Sequence, residues 1–138
     1  MKTKLENAIK DAQIKVDSCL KKFTFAFPGQ QSKGYVYEPV EEFGWSEGFW
    51  TGILWILYEL TGKEDYRNVA EIQCEIFKIR EERNIKLNHH DIGFLYSLSC
   101  VAAYKLTGLS TLSSVENGTF SFPPYTELDE AYKRCFTG

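Results

Sequence analysis

The chain has 138 residues, the length of a single ordinary domain, and 43% of them are apolar and 15% aromatic, which is enough for a packed core. Its 16 basic and 19 acidic residues give a net charge of −3 without a Lys/Arg cluster. This balance argues against nucleic-acid partners and anionic membranes, and leaves a neutral or small acidic ligand as the compatible class.

The N-terminus has charges every few residues and no apolar core of signal-peptide length, and no window is apolar enough to span a membrane. We therefore expect a cytoplasmic location. The four cysteines stand far apart, without a C-x-x-C pair, and we interpret them as reduced residues that pack in a core. They are Cys19, Cys74, Cys100 and Cys135.

The first predicted helix covers residues 4–21, where apolar residues recur at steps of three and four along one side. These residues are Leu5, Ala8, Ile9, Ala12, Val16, Cys19 and Leu20. Residues 23–44 then mix Pro, Gly and aromatic residues without a period, which predicts a long loop. Loops of this length in compact domains are often functional.

Two strongly apolar helices are predicted over residues 45–62 and 91–108. The first begins at Ser46, a suitable N-cap, and ends before Gly62, a C′ glycine. Because it is apolar nearly all round, it must be enclosed on several sides. The segment 63–84 between the two has one apolar stripe and an opposite charged face, which predicts a surface helix packed on the enclosed one. The stripe consists of Tyr66, Val69, Ala70, Gln73, Cys74 and Phe77.

Both apolar helices open on Gly-Phe and close on Tyr-x-Leu-Thr-Gly, and Tyr104 lies 46 residues after Tyr58. This period fits an inner helix, a turn, an outer helix and a return loop, so it predicts stacked helix pairs. The N-terminal ends of the inner helices would then lie side by side at one mouth, where we expect a ligand site. The alternative is that Tyr-x-Leu-Thr-Gly is simply a good helix end.

His89, His90 and Asp91 directly precede the second apolar helix. One interpretation of Asp91 is an N-cap. Adjacent residues do not share a helix face and no H-x-x-x-H spacing is present, so we expect neither a metal site nor a cofactor. The other interpretation is an acid/base carboxyl at a cavity mouth whose aromatic walls exclude water. Candidate walls are Trp45, Phe49, Trp50 and Phe94, although most aromatic residues at helical spacing belong to a core.

The segments WSEGFWTGILWILYELTG and NHHDIGFLYSLSCVAAYKLTG together resemble the unsaturated glucuronyl hydrolases, glycoside hydrolase family 88. The resemblance covers residues 5–108 and is densest at 45–62 and 88–108. It implies an all-α fold in which helical hairpins form the first part of an incomplete (α/α)6 barrel. Residues 1–108 would be the N-terminal part of such a hydrolase domain, and residues 109–138 a divergent tail.

The resemblance also implies a reaction, because the family acts on oligosaccharides that polysaccharide lyases leave with a C4=C5 unsaturated uronic acid. An aspartic acid protonates C4, water adds at C5, and the resulting hemiketal opens to release the aglycone. The family uses two aspartates, and Asp91 matches one of them, which makes it the predicted catalytic residue. His90 and Trp45 match positions that look like sugar contacts.

The family is more than twice as long as this chain, and its second aspartate lies on a later helix. The tail 109–138 has Ser/Thr, Asn-Gly and Pro-Pro where another outer helix is due, and only residues 127–135 predict a short helix. A truncated or frameshifted reading frame would explain it. We therefore expect an inactive fragment that self-associates through uncovered apolar helices. The alternative is a non-catalytic helical-hairpin module that binds a partner or carbohydrate.

Overall fold

The computed structural model describes residues 2–40 and 43–108, and it is mostly helical, as predicted. Its helices are α1 (Lys2–Leu20), α2 (Glu47–Thr61), α3 (Glu64–Glu82), α4 (Ile92–Tyr96) and α5 (Ala102–Thr107), with a π-helical turn (Ser97–Val101) joining the last two. The predicted tail helix at 127–135 and Cys135 lie outside the described residues. The π-helical turn was not predicted, since the sequence pattern indicated one uninterrupted helix.

A small antiparallel hairpin lies within residues 23–44, where we predicted a long loop. Strand β1 (Phe27–Pro28) pairs with β2 (Pro39–Val40). At the tip, Gly34 and Tyr35 have φ values of 55° and 65°, and two successive positive φ angles suit the turn of a tight hairpin. Strands of two residues are too short to produce a detectable alternation of apolar and polar residues, so they could not be predicted from the sequence pattern.

The predicted stripe of α3 is buried against α2, which confirms an outer helix packed on an inner one. Tyr66, Ala70, Cys74 and Phe77 are fully buried. The opposite face carries the charges, including the ion pair of Arg67 and Glu71 at 2.7 Å.

The backbones of α2 and α4 approach each other closely. A Cβ atom at Gly48 would lie 2.5 Å from the carbonyl oxygen of Leu95 and 2.7 Å from that of Phe94. One turn later, a Cβ at Gly52 would lie 3.2 Å from the Cβ of Leu98. Because the contacting residues advance together, the two helices run parallel with their N-terminal ends side by side, as the repeat predicts.

The two inner helices also end alike. Gly62 and Gly108 have φ values of 69° and 73°, and their N–H groups donate to the carbonyls of Tyr58 and Tyr104 at 2.7 and 2.8 Å. Both are left-handed C′ glycines. The shared ending alone is also compatible with the alternative that each helix merely stops at a glycine. The parallel packing of the two helices supports the interpretation as stacked helix pairs.

One face of α2 is open to solvent, as the expectation of uncovered apolar helices implies, whereas its other sides are enclosed as predicted. Phe49, Ile53, Ile56 and Leu60 recur at helical spacing and are each between 42% and 56% exposed. Leu5 of α1 is likewise 63% exposed. Among the described residues, α3 and α4 cover the other side of α2, and this apolar face is left bare except for Phe49 at its start, which has Trp45 and Phe94 as neighbours.

The three cysteines within residues 2–40 and 43–108 are not joined by a disulfide, and their reduced state stays a prediction. Cys74 and Cys100 are buried and Cys19 is half-buried. The hydrogen bond with Cys100, together with burial, raises the pKa of the Cys74 thiol. Over residues 2–40 and 43–108, no helix combines the length and apolar character needed to cross a membrane. The cytoplasmic location stays a prediction.

Asp17 connects α1 to the start of α3. Its Oδ1 accepts hydrogen bonds from the Tyr66 hydroxyl at 2.7 Å and from Lys63 Nζ at 2.9 Å. These bonds, the one from Tyr66 first, lower the pKa of Asp17 from its ordinary value of 3.8. A carboxyl with a lowered folded pKa contributes stability above its unfolded pKa and loses it as the pH falls through the folded value.

The free energy of unfolding of the wild type should fall as the pH drops below about 4, because Asp17 becomes protonated. We therefore expect a smaller fall in the Asp17→Asn variant. Because Asp17 is substantially exposed, solvent screens the interaction, and the difference at pH 7 should be about 1 kcal/mol or less. Urea unfolding at pH 7 and pH 3 measures both effects. Asp11→Asn, an exposed change on the same helix, is the control. Equal pH dependence in the wild type and the Asp17 variant would contradict this role.

Candidate active site

Three aromatic rings meet where the N-terminal ends of α2 and α4 lie side by side. The ring centres of Trp45 and Phe49 are 5.9 Å apart, those of Trp45 and Phe94 6.1 Å, and those of Phe49 and Phe94 5.9 Å. Trp45 is half-buried and the two phenylalanines are exposed. Three of the four predicted aromatic walls therefore come together as one surface at the mouth.

The fourth predicted wall residue, Trp50, belongs to the core. It is only 8% exposed, its ring packs edge-on against Phe23 at 5.5 Å, and its Nε1–H donates to the Phe23 carbonyl at 3.3 Å. Its position on α2 explains the difference, because Trp50 faces the hairpin segment whereas Phe49 faces α4.

His90 and Asp91 lie in contact immediately before α4. The distance from His90 Nε2 to Asp91 Oδ2 is 3.3 Å, with the His90 side chain 92% exposed and that of Asp91 27% exposed. His89 is turned to the backbone instead, since its Nδ1 accepts the N–H of Asp91 at 3.1 Å. In the part of the chain that the structure describes, no group of three His, Cys, Asp or Glu residues could hold a metal ion.

Asp91 occupies the N-cap position of α4, but its carboxylate makes no cap hydrogen bond. The N–H of Phe94 donates to the backbone carbonyl of Asp91 at 3.0 Å instead. The cap interpretation is therefore right about the position of Asp91 at the helix start but not about its carboxylate, which does not cap the helix and is available for other chemistry. Ser46, the predicted cap of α2, likewise makes no side-chain cap bond.

Glu47 holds the chain at the start of α2. Its Oε1 accepts the backbone N–H of Gly44, just before Trp45. The residue is only 2% exposed, and its Oε2 has no hydrogen-bond partner among the described residues. Buried carboxylates with a free oxygen are uncommon. Sequence reasoning missed it, because a glutamate in the first turn of a helix is ordinary.

Arg80 is a second buried charge that sequence reasoning missed. It is fully buried, and its guanidinium donates to the carbonyls of Ile85 at 2.9 Å and Lys86 at 2.8 Å. Its Cζ lies 5.2 Å from the centre of the Phe43 ring. Burial lowers the pKa of Arg80, and the charge of Glu47 offsets part of that effect. Extending the apolar stripe of α3 by three residues would have placed position 80 on the buried face.

A cavity of about 460 Å³ lies beside Trp45, between α1, the hairpin and the start of α2. Its wall is mainly apolar, with Phe49 and Tyr37 among the lining residues, but His90 and Asp91 do not line it. Trp45 thus takes part in both the cavity wall and the aromatic surface. His90 and Asp91 connect to that surface through the first turn of α4, which carries Phe94.

Comparison with solved structures identifies the class of fold as that of the (α/α)6-barrel glycoside hydrolases. A crystal structure of a mutant unsaturated glucuronyl hydrolase from Streptococcus agalactiae, complexed with dGlcA-GalNAc6S, matches with a TM-score of 0.75 and 33% identity. The match covers 79% of this chain and 29% of that one.

Curated relatives give the family. Unsaturated glucuronyl hydrolase of Bacillus sp. (strain GL1) is 43% identical over 99 residues, which are 72% of this chain and 26% of the relative. Unsaturated chondroitin disaccharide hydrolase of Streptococcus pneumoniae (strain ATCC BAA-255 / R6) is 35% identical over 104 residues, 75% of this chain and 25% of the relative. No protein-family profile matches the chain. The predicted resemblance to the unsaturated glucuronyl hydrolases is confirmed, and the chain spans about a quarter of these relatives' length.

Proposed function

We propose that this chain contributes Asp91 to a glycoside hydrolase site that releases a C4=C5 unsaturated uronic acid from lyase-generated oligosaccharides. The observation that carries the proposal is the Asp91 carboxylate, which contacts His90 at the mouth and is not used as a helix cap. The names of the relatives, and the dGlcA-GalNAc6S in one related structure, support the same substrate class.

The proposed reaction is hydration of a vinyl ether. A proton adds to C4, positive charge develops at C5, and a nearby carboxylate stabilises that charge in a site from which water is largely excluded. Water adds at C5 and loses a proton, the hemiketal opens, and the aglycone leaves as an alcohol. We assign Asp91 the role of stabilising the cation that develops at C5, in cooperation with a second acid. His90 and the half-buried face of Trp45 would contact the sugar.

Turnover by a chimera tests this proposal. Residues 5–108 would replace the matching segment of the Bacillus relative, which is 43% identical over the aligned region. The C4=C5 uronate absorbs in the near ultraviolet, so loss of absorbance reports hydrolysis of an unsaturated disaccharide. We expect measurable turnover by the chimera and none by the 138-residue chain alone. A folded chimera that consumes no unsaturated disaccharide would refute the assignment.

Trp45→Ala in that chimera should raise KM by roughly tenfold, because a partly exposed ring offers a sugar binding area without anchoring the core. The melting temperature should change little. Trp50→Ala is the matched control, and it should destabilise the protein by about 3–5 kcal/mol because Trp50 is buried. A large fall in melting temperature with unchanged kinetics would assign Trp45 to packing.

We also propose that the isolated chain self-associates through the bare face of α2, since monomers rarely expose apolar patches beyond a few hundred Å². The same face suits the alternative of a non-catalytic binding module. Light scattering should show oligomers, and Ile56→Lys, in the middle of the face, should shift them toward the monomer. Ile14→Lys on α1, also at an exposed apolar residue, should have no such effect. A monomer that unfolds cooperatively would contradict association.

A further inference from the structure

Two segments form the mouth, and both contact the same buried side chain. The first segment, residues 43–46, carries Trp45. The second, residues 85–91, carries His90 and Asp91. Arg80, near the end of α3, lies between them and is fully buried.

The second segment is held in a conformation that its sequence disfavours. Lys86 has a φ of 46°, in the left-handed region that lysine seldom adopts, whereas Asn84, just before the segment, has a φ of 53° in a region that asparagine tolerates well. Such a backbone persists only where surrounding contacts fix it. Arg80 supplies these contacts, because its Nε and Nη2 donate to the carbonyls of Ile85 and Lys86 and its own carbonyl accepts the N–H of Ile85 at 3.0 Å.

The first segment also contacts the guanidinium. The Phe43 ring centre lies 5.2 Å from Arg80 Cζ, a distance typical of a cation–π contact. Glu47, which is almost fully buried, accepts the N–H of Gly44 and interacts electrostatically with Arg80. The turn that presents Trp45 is therefore fixed at Gly44 by Glu47 and contacts Arg80 through Phe43.

We propose that Arg80 is a positioning residue that couples the segment carrying Trp45 to the segment carrying Asp91. Arginine is suited to this task, because its planar fork donates to two carbonyls while its flat face covers an aromatic ring. A lysine ammonium could not do both. The relevance of this coupling to turnover rests on the proposed function, but the coupling itself can be measured without any substrate.

The sharpest test changes one segment and observes the other. Phe43→Leu keeps an apolar side chain at a half-buried site but removes the ring beneath Arg80. Hydrogen exchange followed by mass spectrometry should show the peptide 83–92 exchanging on the order of tenfold faster, with helix peptides from 66–78 unchanged. Phe25→Leu, at a ring that is 77% exposed, is the control. An unchanged 83–92 peptide, or equal acceleration of all peptides, would overturn the proposal.

The reciprocal test replaces Arg80 and observes Trp45. Trp50 and Trp55 are 8% and 1% exposed, so acrylamide quenching of the fluorescence reports mainly on Trp45. Arg80→Lys and Arg80→Met should both increase quenching, whereas Arg67→Met on the exposed side of α3 should not. If the Arg80 variants do not fold, the Phe43 variant still decides the question. Unaltered quenching in a folded Arg80→Met variant would refute coupling.

The two proposals fail separately. If the two segments are coupled but the chimera shows no turnover, the hydrolase assignment is refuted and the positioning role of Arg80 stands. If the chimera turns over substrate but its two segments respond independently, the coupling role of Arg80 is refuted and the assignment of Asp91 stands.

Discussion

Gly48→Ala is expected to unfold the chain or to lower its free energy of unfolding by about 3 kcal/mol or more. The added Cβ would lie 2.5 Å from the carbonyl oxygen of Leu95 and 2.7 Å from that of Phe94. Both neighbours are backbone atoms, so no side-chain rotation can relieve the clash. The two inner helices would have to separate, and the aromatic surface at their ends would separate with them.

Gly93→Ala is the matched control for this change. Gly93 lies in the first turn of α4, and a Cβ atom there would meet nothing within 4 Å. Because alanine favours helix more than glycine does, stability should stay level or rise by about 0.5–1 kcal/mol. Urea unfolding followed by circular dichroism measures both variants. Equal stability of the Gly48 and Gly93 variants would show that the helices adjust more easily than the structure indicates.

Asp91→Asn should lower kcat in the chimera by about 100-fold or more if Asp91 serves as an acid/base or cation-stabilising group. Asparagine keeps the size of the side chain and caps helices nearly as well as aspartate. The carboxylate makes no cap bond, so the change in stability should stay below about 1 kcal/mol.

Asp65→Asn, which neutralises an exposed carboxylate on α3, controls for the loss of one negative charge. It should leave kcat within about twofold, because single surface charges contribute little. Full activity in the Asp91 variant would assign this residue to the start of the helix and leave the hydrolase proposal without its carboxylate. Near-ultraviolet absorbance of the unsaturated sugar gives kcat for each variant.

The long elements could be predicted from the sequence because their signals repeat. The stripe of α3 returns every three or four residues, and the shared endings at Gly62 and Gly108 each depend on a local glycine conformation. Their period also predicted that the N-terminal ends of the inner helices lie side by side. Trp45 and Asp91 were named as site residues from motifs at these ends, and their roles stay proposals.

The features that escaped prediction depend on contacts that no periodic pattern of residues records. Arg80 looks like a surface charge until its neighbours, the carbonyls of Ile85 and Lys86 and the ring of Phe43, are known. The burial of Glu47 is equally invisible in a first helical turn. The apolar pattern of α2 predicted surfaces that favour burial, but such a pattern does not indicate which segment would cover the face that stays exposed.

The hydrogen bond from the Asp91 N–H to His89 Nδ1 determines the tautomer of that imidazole. A nitrogen that accepts carries no hydrogen, so the neutral ring must have its hydrogen on Nε2. That second nitrogen can then only donate a hydrogen bond, so His89 would serve any partner at the mouth as a donor and not as an acceptor.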